Sequence, residues 1–304
     1  MRNLLLRVHT AEDIDAQVEK IFRGLGSPSP PLSLDDVRAL LKLDRQYYSS
    51  RNDSAVRDVA SRIWVAGQQI LTRPMLLIDA IRKADLKALY IPDQRRILLD
   101  QDLPILKHRW NEAHEIGHSV IPWHKATWLG DDKNTLSEAC SANIESEANY
   151  AAGRLLFFRE RFIQEVNDSK PTIASVKALK ESYGNTMTST LWRVIESSER
   201  TIFGAISCHP HKLSDDFNAA EPLRYFIRSP KFARRFSAIH EQEIFGYMQQ
   251  YCTRARGGPL GQAELTLPDD NGDLHHFSFE TFFNQYDALT IGVYQRKHSL
   301  LVSA

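Results

Sequence analysis

His114-Glu115-Ile116-Gly117-His118 places two imidazoles four residues apart with a carboxylate between them. On an α-helix that spacing returns to the same face, so both rings can reach one metal ion. Zinc takes nitrogen, sulfur or carboxylate ligands in a tetrahedron and, where it is catalytic, leaves one position to water. Glu115 then stands beside that water as a general base and is not itself a ligand. The chemistry of such a set is hydrolysis by a metal-activated water. Two histidines do not complete it, and a third protein ligand has to come from another part of the chain.

A candidate lies 27 residues beyond His118. Residues 144–156 have helix-forming composition, and Glu145, Ala148, Asn149 and Ala152 share one face of that helix. The alanines would let it approach the histidine helix closely, and Glu145 would complete a His-His-Glu set. Asn149, one turn on, can accept the second N–H of a ligand imidazole and fix the ring. Glu147 is the competing ligand, but two steps of about 100° turn it away from that stripe. Glu145 is the favoured ligand.

The two segments together resemble a known family. Ala113-His114-Glu115-Ile116-Gly117-His118, followed by Glu145-x-x-Ala148-Asn149-x-x-Ala152-x-x-Leu155-Leu156, is similar to the ImmA/IrrE-type metallopeptidases of bacteria and phages. The resemblance implies one zinc held by His114, His118 and Glu145, with Glu115 as base. It implies a zincin-like, thermolysin-like minimal core. It also implies a protein substrate, a helix-turn-helix transcriptional repressor, cleaved to release a stress-response or phage-related operon. The chain departs from the family pattern at Ala151, where a Phe is usual, and at Phe157-Phe158, which replace a Met-Pro ending. Both departures concern packing and leave the ligand set intact. The resemblance covers about residues 30–200.

The elements that must position these residues can be read in outline. Ala11–Arg23 reads as a helix ended by Gly24 and Gly26, with a Ser/Pro linker after it. Ser33 is an N-cap, with Asp36 three residues on, for a short helix through Leu41. Asp53–Ala84 is mostly helical apart from a start or kink at Pro74. The β-like runs 87–91 and 95–99, with Pro92-Asp93-Gln94 between them, predict a hairpin leading into a helix that begins near Pro104. Such a sheet either binds substrate as an added edge strand or simply covers the helix. Residues 119–134 read as a loop over the site. Within it His124 is a candidate for substrate or oxyanion contact, with plain packing as the alternative. Tyr150, beside the third ligand, carries the same two readings.

Beyond the core, Ile173–Tyr183 and Thr188–Ser198 predict two helices joined at Gly184-Asn185, a helix-turn-helix spacing. Five Lys or Arg against three Glu in residues 169–200 leave a basic footprint too weak for direct DNA binding to be expected. After Thr201 the pattern is β-rich: 201–207, 223–227, a hairpin 263–267 and 276–279 around Asp270-Asn271-Gly272, and 288–296. Arg224, Arg228, Lys231, Arg234 and Arg235 alternate with aromatics there, either to grip phosphate or an acidic partner or as solvated faces over an aromatic core. Cys208-His209-Pro210-His211 has metal-binding residue types but no partner cluster at zinc-finger spacing.

The expected architecture is therefore α+β in three parts. Residues 1–168 form a mainly helical peptidase domain with a small sheet, 169–200 a helix-turn-helix-like unit, and 201–304 an α+β accessory domain for sensing or docking. The 304 residues suffice for these cores, and 38 Lys plus Arg balance 38 Asp plus Glu, so no global charge draws the chain to nucleic acid or acidic lipid. Three widely spaced cysteines argue for a reducing compartment, and neither a signal sequence nor a membrane span is read, so the cytoplasm is the expected location. The alternatives to a zinc endopeptidase are a non-catalytic regulatory binding module and a DNA-binding regulator on a zinc-stabilised, protease-like fold. Glu115 weighs against the first, because a structural zinc site has no use for a base, and the weak basic footprint weighs against the second.

Overall fold

The computed structural model describes residues 6–48, 88–91, 95–103, 105–124, 138–215 and 217–298. The helical reading of Asp53–Ala84, the turn Pro92–Gln94 and residues 125–134 of the expected loop 119–134 lie outside them. Residues 119–120 end the histidine helix and 122–124 form a helical turn, which corrects the loop reading there. The fold is α+β. By their internal contacts the residues form two compact units, one of residues 4–158 with 183–185 and one of 159–182 with 186–304.

The first unit opens with α1 (Val8–Gly24) and α2 (Leu34–Leu41). Ile14, Val18 and Ile21 form the buried stripe of α1, and Ser33 caps α2 by accepting the Asp36 amide at 3.2 Å. A three-stranded sheet follows: β1 (Asp44–Tyr48), β2 (Ala88–Ile91) and β3 (Arg96–Asp100), in the order β1-β3-β2. β1 runs parallel to β3, whereas β2 pairs antiparallel with it, Tyr90 opposite Ile97. β2 and β3 are the expected hairpin strands. β1 was not expected, because Asp-Arg-Gln-Tyr-Tyr has no apolar alternation.

The sheet supports α3 (Ile105–Val120), the histidine helix, and α4 (Glu138–Phe157) lies beside α3. Their close approach depends on Gly117. A Cβ there would stand 2.9 Å from the Ala148 carbonyl oxygen and 3.1 Å from the Ala151 Cβ. The small-residue face read on α4 is thus matched by a missing side chain on α3. On another side of α3 the buried Glu112 carboxylate receives Arg38 at 2.5 Å and Arg45 at 3.0 Å, tying α3 to α2 and β1. Arg109 donates to the Leu32 carbonyl at 2.9 Å. These bonds fix the height and rotation of the helix that presents the histidines.

The second unit begins with α5 (Arg159–Asp168), α6 (Ile173–Tyr183) and α7 (Met187–Ser197). The two helices expected on either side of Gly184 are present, with Thr186 capping α7 through the Ser189 amide. Its buried face, Thr190, Leu191, Val194 and Ile195, packs on the sheet that follows. That sheet comprises β4 (Ile202–Ser207), β5 (Leu223–Arg228), β6 (Gly258–Pro268), β7 (Leu274–Phe283) and β8 (Ala288–Lys297). It is antiparallel throughout, in the order β5-β4-β8-β7-β6. Two helices, α8 (Pro230–Arg235) and α9 (Glu241–Tyr251), close an aromatic core of Phe203, Phe232, Phe236, Phe277 and Phe279.

β6 starts five residues before the expected strand. Gly258, Pro259 and Gly261 read as breakers, yet the ladder passes through them by a register shift. Gly261 makes this possible: its φ is +156°, and a Cβ would lie 2.7 Å from the Tyr251 carbonyl oxygen.

Candidate metal centre

His114 and His118 project from one face of α3, and their Nε2 atoms lie 3.1 Å apart. Glu145 on α4 reaches both, with one carboxylate oxygen 3.1 Å from His114 Nε2 and the other 3.6 Å from His118 Nε2. The three side chains offer ligand atoms all within 4.8 Å of one another. Two ligands each about 2.0–2.1 Å from zinc at a tetrahedral angle stand about 3.3 Å apart, so the nitrogen spacing fits such an ion. Two imidazole nitrogens and one carboxylate are also the donor types zinc prefers. Residues His114, His118 and Glu145 are therefore those that would hold a metal.

The other nitrogen of each ring is already engaged. His114 Nδ1 lies 3.1 Å from Asn149 Oδ1, and since that oxygen only accepts, His114 carries a proton there and turns Nε2 toward the centre. His118 Nδ1 lies 3.0 Å from His124 Nδ1. His124 in turn places Nε2 2.9 Å from a Glu147 oxygen, which also receives the Trp123 indole N–H at 2.5 Å. The rival ligand Glu147 thus faces residues 123 and 124 instead of the metal group. Tyr150 donates its hydroxyl to Asp15 at 3.1 Å and accepts from Arg154 at 2.7 Å, so its hydroxyl is committed to that pair.

The electrostatics follow from burial. His118 is pushed down to about 3, first by desolvation and then by the charge of His114, which keeps its ring neutral. For His114 burial acts in the same direction, but the bond to Glu145 and the charges of Glu115 and Glu145 outweigh it and raise the ring's pKa. Glu115 is buried, outside the three-ligand group, and bonded to the backbone N–H of Tyr90 on β2. Desolvation pushes its carboxyl up to about 7, against the charge of His114.

Most of the remaining sequence candidates have internal partners. Arg224 pairs with Asp287 at 2.8 Å, Arg228 lies over the Phe226 ring and donates to the Ile239 carbonyl, and Arg235 donates to Asp269. This is the arrangement of Arg faces over an aromatic core. His209 and His211 direct their Nε2 atoms to the carbonyls of Ala255 and Cys252 at 3.0 and 2.8 Å, so both rings serve the backbone. Two features of the centre were missed in the sequence. Gly117 was signalled by its place opposite the alanine face. The destination of Glu147 had no local signal, since residues 123–124 and 147 meet only through the packing of α4 beside α3.

No curated protein matches the chain in sequence. A solved structure titled a Mycobacterium tuberculosis transcriptional regulator is similar in fold, with a TM-score of 0.50 at 12% identity, over 96% of this chain and 92% of that one. Among the described residues no helix is long and apolar enough to cross a membrane. Residues 73–194, which include the helices of His114 and Glu145, match the Peptidase_M78 family model described as the IrrE N-terminal-like domain, which supports the ImmA/IrrE resemblance of the two motifs.

Proposed function

We propose that the chain is a zinc-dependent endopeptidase whose substrate is a helix-turn-helix transcriptional repressor. The observation that carries the reading is the convergence of His114 Nε2, His118 Nε2 and Glu145 beside a buried carboxylate, Glu115, that is outside the ligand set. Zinc, when bound, would lower the pKa of a water to about 7 and polarise the scissile carbonyl. Glu115 accepts the proton of the attacking water and returns it to the leaving amine. Burial, which raises this carboxyl, favours its taking up the proton. His118, kept neutral, and His114, oriented by Asn149, supply lone pairs, while Glu145 supplies the negative charge that partly balances the ion.

β2 supports a peptide substrate. It is at the end of the strand order β1-β3-β2, and its Tyr90 amide touches Glu115. A chain added along that edge would run past the base, its main-chain groups satisfied by β2. The repressor as substrate comes from the family resemblance, as does release of a stress-response or phage-related operon. In this reading residues 201–304 sense a signal or dock the partner, and the compartment is the cytoplasm.

The fold likeness to a protein titled a transcriptional regulator, over nearly the whole chain, favours a second reading in which the chain regulates by binding alone. Glu115→Gln separates the two. It leaves the three ligands in place but removes the base, which costs about 10²–10⁴-fold in rate. The peptidase reading expects zinc content unchanged, repressor binding retained and cleavage lost on a gel. Derepression of a reporter by Glu115→Gln with the repressor still full length would establish the binding reading instead.

A further inference from the structure

Behind the metal-facing side of His118 lies a chain of polar groups that the hydrolytic reaction does not use. His118 and His124 are both nearly inaccessible, at 3% and 1% exposure, and their Nδ1 atoms are 3.0 Å apart. One proton must lie between these two nitrogens, and which ring owns it decides the chemistry of His118. If His118 owns it, His118 Nε2 has a lone pair for a metal. If a neutral His124 owns it, His118 carries its proton on Nε2, toward the metal position, and cannot bind there.

Glu147 resolves the choice. Its oxygen is 2.9 Å from His124 Nε2 and also accepts the Trp123 indole N–H, a group that can only donate. A carboxylate at that distance requires a proton on His124 Nε2, since a bare ring nitrogen would set two lone pairs against each other in a buried site. A neutral His124 with its proton on Nε2 has only a lone pair at Nδ1, and it must accept from His118. The order of donation is then His118 Nδ1–H to His124 Nδ1, and His124 Nε2–H to Glu147. His114 is oriented by a single step, through Asn149.

We propose that His124 and Glu147, with Trp123 bracing the carboxylate, form a two-step tautomer lock that holds His118 ready to bind the metal through Nε2. They are positioning residues: His124 acts through His118 and Glu147 acts through His124. The proposal rests on the metal-site reading above. It also explains a histidine six residues past His118 and a second carboxylate two residues past Glu145, neither of which belongs to the ligand set.

The test uses the full chain in two arms. In the first, zinc affinity is measured by chelator competition for wild type, His124→Leu, His124→Asn and Glu147→Gln. Leu and Asn have nearly the same shape, but only the Asn Oδ1 can accept from His118 where His124 Nδ1 did. The lock expects His124→Leu to weaken zinc binding about 10–100-fold, the range for losing a group that orients a metal-bound histidine. It expects His124→Asn to recover much of that loss, and Glu147→Gln to fall between. A packing role for His124 would move the Leu and Asn variants together, and that result overturns the proposal. The second arm reads the His118 tautomer in metal-free, ring-¹⁵N-labelled protein by NMR. Wild type should carry its proton on Nδ1, and Glu147→Gln should shift population to Nε2; an Nε2–H tautomer in wild type also overturns it. A wild type that binds no zinc but shows the Nδ1–H tautomer removes the peptidase reading and leaves the lock standing.

Discussion

Two groups of histidines and carboxylates in this molecule draw on the same residue types, two His with one acid in one and two acids with one His in the other, and differ in their electrostatics. His114, His118 and Glu145 form one, and Asp269, Asp273 and His275 the other, each with three potential ligand atoms within 4.8 Å of one another. In the second group the chain supplies its own cations. Arg235 donates to Asp269 at 3.1 Å and lies 3.0 Å from His275 Nε2, and Lys297 pairs with Asp273. The amides of Asn271 and Asp273 both donate to the other Asp269 oxygen at 3.0 Å, so this carboxylate holds the β6–β7 turn. In the first group the ionic partners of Glu145 among the described residues are His114 and His118 themselves. Residue type alone therefore does not mark a metal site. What matters is whether the fold has already placed a guanidinium or ammonium among the acids.

The largest expected effect follows from that difference. Purified wild type should contain about one zinc per chain, and His114→Ala/His118→Ala almost none, because a single carboxylate cannot hold the ion. Asp269→Asn and His275→Gln should leave the zinc content at the wild-type value. Elemental analysis decides, and zinc lost with the second group but kept without the two histidines would reverse the comparison.

Within the first group the comparison can be sharpened between two glutamates two residues apart. Glu145→Gln removes a charged ligand and should reduce zinc affinity more than any other single glutamate change in the chain. Glu147→Gln should cost less, about 10-fold, because that side chain acts only through His124. Chelator titration of the two variants in parallel gives the order. If Glu147→Gln proves the more damaging, the third ligand has to be reassigned to it.

How much of this was legible in the sequence depends on how local each signal is. The histidine pair, the small-residue face of α4, the Ser33 cap and both hairpins are short-range patterns, and each appears in the fold where its spacing put it. β1 was not legible, because a strand held by parallel pairing to β3 need not alternate. α9 was missed because Glu241–Tyr251 lies among strands and no strong stop signal set it off. The start of β6 was hidden by glycines and a proline that normally break strands, one of them used here to let Tyr251 approach. The directions taken by Glu147 and Tyr150 are tertiary facts. Both follow from what α4 meets on either side, Trp123 and His124 in one direction and Asp15 of α1 in another.

The contact that creates the first group can be loosened without touching a ligand. Gly117→Ala drives a methyl against the Ala148 carbonyl and the Ala151 Cβ, so α3 and α4 must separate by several tenths of an ångström. Overpacking of this kind costs about 1–3 kcal/mol. The thermal midpoint should fall, and zinc should bind more weakly because Glu145 retreats from the two imidazoles. A variant with wild-type melting and wild-type zinc affinity would mean that the helix spacing does not limit the site.

The smallest effect belongs to the second group and appears only in acid. Burial pushes the Asp269 carboxyl up, but the bonds from His275, Arg235 and the amides of Asn271 and Asp273 more than offset it and hold it at about 2. In the unfolded chain an aspartate titrates at about 3.9. A carboxyl held lower in the folded state stabilises that state fully above the unfolded value, and the contribution is lost as pH falls through the folded one. The stability owed to Asp269 should therefore be intact at pH 5, decline from about pH 4 and be gone near pH 2. Asp269→Asn keeps the size of the side chain but removes the charge. Thermal midpoints of wild type and Asp269→Asn should differ most at pH 5 and converge toward pH 2. A gap that stays constant, or widens in acid, would show that Arg235 and His275 stabilise the turn by packing and not by the charge of Asp269. The contrast between a self-neutralised group and one that recruits an ion would then lose its electrostatic basis.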